Sequence, residues 1–102
     1  MSANKIDQFK TFIVYSDPGH AWLAAPKSYL DFLGINSKIS SYSYVSPSGG
    51  TVYLEEDMDA GIFMNAWLAK FGAKPLMRTR YSNSSSKIRN NFSYTKPERR
   101  GQ

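Results

Sequence analysis

Two glycines, Gly34 and Gly72, do most to limit what this chain can fold into. Each follows a run with helical periodicity, so each reads as the left-handed residue that ends a helix. In the first run, Ala24 to Leu33, Pro26 suits an opening turn, and Tyr29, Leu30 and Leu33 share a face. Ile35 is placed to fold back on that face. The second run opens with Glu55, Glu56, Asp57 and Asp59, acids that oppose the positive end of a helix dipole, with Asp57 as a natural cap. Ile62, Phe63, Ala66, Trp67 and Phe71 carry it on to Gly72.

The segments outside these helices read as strands. Phe12-Ile13-Val14-Tyr15 is a short buried one, and Ile39 to Val45 pairs with Thr51 to Leu54 around the turn Ser46-Pro47-Ser48-Gly49-Gly50. From Leu76 to Tyr81 the alternation puts Met77, Thr79 and Tyr81 on one face and Leu76, Arg78 and Arg80 on the other. Lys87 to Tyr94 reads as a last strand or an arm. The resulting β-α-β-β-α-β order predicts an α+β domain, with a ferredoxin-like antiparallel sheet and both helices on one face. A chain of 102 residues suits a single domain, expected over residues 11–94. Residues 1–10 read as an N-terminal extension, and residues 95–102 as a basic disordered tail.

Charge is unevenly spread. From Met1 to Pro75 six lysines face seven acids, whereas from Leu76 to Gln102 seven bases face Glu98 alone, and every arginine lies in that last part. The arginine fork matches phosphate and carboxylate, so the segregation points to an anionic partner, set against the plainer reading of a solvated basic tail. Arg78 and Arg80 on one strand face, followed by Ser86, Lys87 and Arg89, form the anion-binding candidate. Tyr42, Tyr44, Tyr53, Tyr81 and Tyr94 would add stacking surfaces, or else simply pack in a sheet.

A second candidate lies where the first strand ends. Ser16-Asp17-Pro18-Gly19-His20 is a strand-breaking turn that presents the only histidine of the chain. Ser16, Asp17 and His20 join the ligand-binding set on that ground. The opposing reading has His20 hydrogen-bonded as a turn residue and packed on Trp22. Over Ile13 to His20 the chain resembles zinc-dependent peptidoglycan amidases, but a catalytic zinc takes three protein ligands, and here there is one histidine and no cysteine. No serine sits in a Gly-x-Ser-x-Gly elbow, and the acidic cluster at 55–59 has no EF-hand spacing. No metal or other cofactor is expected. The strand Gly50 to Leu54 also lacks the basic and aromatic signature of RNA-recognition domains.

Taken together, Ser16 to Trp22, Ile39 to Tyr44, Tyr53 to Asp59 and Ser86 to Arg89 resemble a group of small proteins from tailed phages and mobile elements. The resemblance covers Ile13 to Tyr94 and implies expression in a bacterial cytosol, with an accessory role in host takeover or counter-defence. No apolar run reaches the roughly 20 residues of a membrane span, and the N-terminus has no signal-peptide pattern. The resulting expectation is a binding protein rather than an enzyme, holding a nucleotide-like molecule or nucleic acid. The alternatives are a module that inhibits a host enzyme or defence complex, and a small hydrolase using His20. Oligomeric state stays open, a homo-oligomer included.

Overall fold

The computed structural model describes residues 6–83 and 87–94, apart from the side chain of Arg89. The expectations for Ser86, for the tail at 95–102 and for residues 1–5 therefore lie outside the described residues. The chain forms strands β1 (Thr11–Ser16) and β2 (Ala21–Pro26), helix α1 (Lys27–Leu33), strands β3 (Tyr44–Val45) and β4 (Thr51–Glu55), helix α2 (Asp59–Phe71), and strands β5 (Leu76–Tyr81) and β6 (Phe92–Ser93). Short 3-10 helices occupy Asn36–Lys38 and Lys87–Asn90. The six strands make one mixed sheet in the order β5-β1-β2-β4-β3-β6.

The α+β class is as expected, but the topology differs from the split βαβ pattern in two ways. An additional strand, β2, precedes the first helix, and β1 pairs with β5 in parallel rather than antiparallel. Ala21 to Pro26 becomes a strand because it returns directly from the Asp17–His20 turn into the middle of the sheet, where four of its six residues are buried. Three alanines favour helix on intrinsic propensity, yet burial between two sheet neighbours overrides that weak preference. Helix α1 consequently starts at Lys27, not Ala24. Ile39 to Ser43 also stays out of the sheet, so the expected hairpin pairs only Tyr44 and Val45 with Tyr53 and Val52.

Both glycine caps form. Gly34 has φ 70° and Gly72 φ 79°, the left-handed conformation that a Cβ disfavours. The Gly72 N–H donates to the Leu68 carbonyl at 2.8 Å, and Ile35 N–H reaches back to Leu30 at 3.2 Å with its side chain buried. Asp57, the expected cap, lies outside α2. Glu55 instead takes the Asp57 and Met58 N–H groups on its two carboxylate oxygens, at 2.8 and 3.2 Å.

The core lies between the helices and one sheet face. Phe12 is its centre, meeting Tyr29, Phe63 and Trp67 edge-on at ring distances of 5.7, 5.2 and 5.1 Å. Leu23, Ala25, Val52 and Leu54 extend the same face, and Leu30 of α1 closes over them. Among the described residues no helix is long and apolar enough to cross a membrane.

Candidate functional site

Because α1 and α2 both pack on the Phe12 face, the opposite face of the sheet carries no α-helix among the described residues. Strand register fixes which side chains stand there, since directly paired residues point the same way. One row across the sheet reads Arg80, Tyr15, Trp22, Glu55, and the next reads Arg78, Ile13, Ala24, Tyr53, Tyr44. The aromatic members touch one another. Tyr15 meets Tyr53 edge-on at 6.3 Å, Trp22 meets Tyr44 edge-on at 6.3 Å, and the His20 imidazole stacks on the Trp22 indole at 5.7 Å.

Two concavities indent this face. The larger, about 490 Å³, has the His20, Trp22 and Tyr44 rings and the Glu55 side chain on its sheet side. Ser40, Tyr42, Asp57 and Met58 complete it from the two loops that flank β3 and β4. The smaller, about 240 Å³, lies over Ile13 and Ala24, lined also by Tyr15, Tyr53 and Lys10.

The Asp17–His20 turn is built as expected from its sequence. Asp17 is buried, and its Oδ1 accepts the Gly19 and His20 N–H groups at 2.9 and 2.8 Å, while its own N–H donates to the His20 carbonyl at 2.8 Å. Asp17 therefore shapes the turn, and His20 lies exposed against Trp22, the packed arrangement that the turn sequence also allowed. Ser16 falls on the Phe12 side of β1, and its carbonyl accepts the Ser82 N–H at 2.9 Å.

Arg78 and Arg80 both stand exposed on the helix-free face, as the alternation of their strand indicated. They are at one edge of the sheet, on β5. Lys87 and Arg89 lie in the 3-10 helix that leads to β6, the other edge strand. His20 and Glu55 share the larger pocket, but Arg80 is three strands from Glu55, about 14 Å at normal strand spacing. Arg80 thus does not pair with Glu55. Of the five tyrosines expected to stack, Tyr44 and Tyr53 are on the helix-free face and Tyr42 lines its pocket. Tyr81 stands on the other face, and Tyr94 is buried, donating its hydroxyl to the Asn36 carbonyl at 2.9 Å.

Asp59 is the residue whose importance the sequence reading missed. It is fully buried at the start of α2, and its Oδ2 accepts the Ser40 N–H (3.0 Å), the Ser40 hydroxyl (2.7 Å) and the Ser43 hydroxyl (2.5 Å). Ser43 in turn accepts the Glu55 N–H at 2.9 Å, so one carboxylate ties the two loops that wall the pocket. The signal was present: Asp59, Phe63 and Trp67 recur at the helical interval that marks a buried face.

Chemically, the pocket offers stacking surfaces and hydrogen-bonding groups. Ser40 lines it, but its hydroxyl donates to Asp59 and accepts the Tyr42 N–H at 3.1 Å, which commits it to the scaffold. Among the described residues no three His, Asp or Glu side chains converge as a metal site would require. Compared with protein-family models, with curated proteins and with solved structures, the chain matches none.

Proposed function

We propose that this protein binds a single-stranded nucleic acid on the helix-free face of its sheet, as an accessory protein of the phage type that its motifs resemble. One observation carries the reading: the half-buried rings of Tyr15, Tyr44 and Tyr53, with Trp22 buried among them, occupy two adjacent cross-strand rows that end in Arg78 and Arg80 on β5. Unpaired bases stack on aromatic rings whatever their identity, and arginines hold the phosphates that follow. His20, stacked on Trp22, contributes a further planar group. Glu55 and Asp57 would repel phosphate from the larger pocket, so that pocket receives a base and the β5 edge receives the backbone.

Anisotropy of a labelled single-stranded oligonucleotide, measured over a salt series, tests this. Arg78→Glu with Arg80→Glu is expected to abolish binding. Tyr53→Ala should weaken it by roughly 5- to 100-fold, the cost of removing one base–ring stack. Single arginine-to-alanine variants should each flatten the log–log salt slope by about 0.7 for every phosphate no longer neutralised. Binding that ignores both arginines and Tyr53 would overturn the assignment.

A second reading, a module that contacts a host protein, is favoured by β5, all six of whose residues are exposed. An edge strand with free backbone groups can accept a strand from a partner. Binding of a host protein that is blocked by substitutions along β5, with no affinity for oligonucleotides, would select it.

A further inference from the structure

The larger pocket is walled by rings and carries carboxylates where a base edge would meet it, and this combination distinguishes among the bases. We infer that it selects guanine, an inference that rests on the nucleic-acid reading and goes on to name the base. An ionised carboxylate only accepts hydrogen bonds. Guanine is the base whose Watson–Crick edge presents two adjacent donors, N1–H and one N2–H, which match the two oxygens of a carboxylate. Adenine and cytosine set a ring-nitrogen acceptor beside their amino group, and thymine and uracil flank one N–H with two carbonyls. Each of those would bring an acceptor against an acceptor, a penalty that discriminates as strongly as a good contact does.

Asp57 is the carboxylate suited to the task. Glu55 points both oxygens at backbone N–H groups, at 2.8 and 3.2 Å, and so shapes the loop that carries Asp57. Asp57 itself is exposed at the pocket, next to Met58. The exposed His20 ring, stacked on the buried Trp22 indole, gives the base a flat surface, with Tyr44 set edge-on to that indole and Tyr42, 76 % exposed, also lining the pocket. The hydroxyls of Tyr42 and Tyr44, which line the pocket, are donors of the kind that guanine O6 accepts. The volume, about 490 Å³, lies within the range of small-ligand pockets and admits a purine.

The test compares thymine oligonucleotides that carry one central guanine, hypoxanthine or adenine. Hypoxanthine keeps N1–H and O6 but lacks the N2 amino group. The guanine strand should bind about tenfold more tightly than either, the worth of a hydrogen bond to a charged group. Asp57→Asn should bring the guanine-to-adenine ratio close to one. Displacement of the guanine strand by guanosine monophosphate, but not adenosine monophosphate, would support the same base selectivity and show that a free nucleotide suffices. Equal affinity for the three strands, or a preference that survives Asp57→Asn, overturns the guanine assignment while leaving nucleic-acid binding in place. Failure of every strand to bind removes both.

Discussion

Asp59 holds together the loops from which the pocket is made. Its Oδ2 accepts three hydrogen bonds from Ser40 and Ser43, and its Oδ1 is buried with no partner among the described residues. Asp59→Ala would leave the buried Ser43 hydroxyl and the half-buried Ser40 donors unmatched, and a loss of about 3 kcal/mol is expected. A urea midpoint that hardly moves would contradict this role. Tyr94 gives the fold a pH dependence at the alkaline end. Burial pushes its phenol above the ordinary value of 10.0, and the carboxylates of Asp31 and Asp59 add to the effect. A raised folded value means the contribution is fully present below pH 10.0 and is lost as pH rises through the folded value. Tyr94→Phe should therefore cost about 1 kcal/mol at neutral pH, through its hydrogen bond to Asn36, yet reduce the loss of stability above pH 10.0. Equal alkaline slopes for the two proteins in urea unfolding would show that Tyr94 is not the group responsible.

At the scale of elements, the caps and the faces are legible in the sequence and the sheet order is not. Gly34 and Gly72 announce their helix ends because a positive φ is a local demand that a single residue meets. The two faces of β5 are equally readable, since strand alternation depends on nothing outside the strand. The identity of β2 is hidden because Ala21 to Pro26 carries helix-favouring alanines, and only its position between β1 and β4 makes it a strand. Tyr15 likewise reads as core in the sequence, because a short apolar run does not declare which of its faces will be covered. The arginines of β5 also have a part that requires no ligand. Charges on an exposed edge strand discourage a second sheet from pairing with it. Arg78→Thr with Arg80→Thr is expected to promote self-association, seen in sedimentation velocity as a species that grows with concentration. The glutamate pair keeps like charges on the edge and should remain monodisperse to the same extent as the parent. If the threonine variant also sediments unchanged, edge protection is not among the functions of these residues.

For the whole molecule, the division of labour follows from placing both helices on one side of the sheet. One face is committed to the Phe12 core, where Phe12→Ala should cost about 4 kcal/mol, read as a lowered urea midpoint. The other face is left to rings, two concavities and a cationic edge. The convergence of His20 with Glu55 and Asp57, and the separation of Glu55 from Arg80, are properties of the tertiary fold that no local pattern encodes. Backbone amide NMR spectra recorded while a single-stranded oligonucleotide is added address this arrangement most directly. Shifts should concentrate at Tyr15, Trp22, Tyr44, Tyr53, Arg78 and Arg80 and leave the middle of α2 unmoved. Shifts confined to the helices, or none at saturating oligonucleotide, would contradict a nucleic-acid site on the helix-free face.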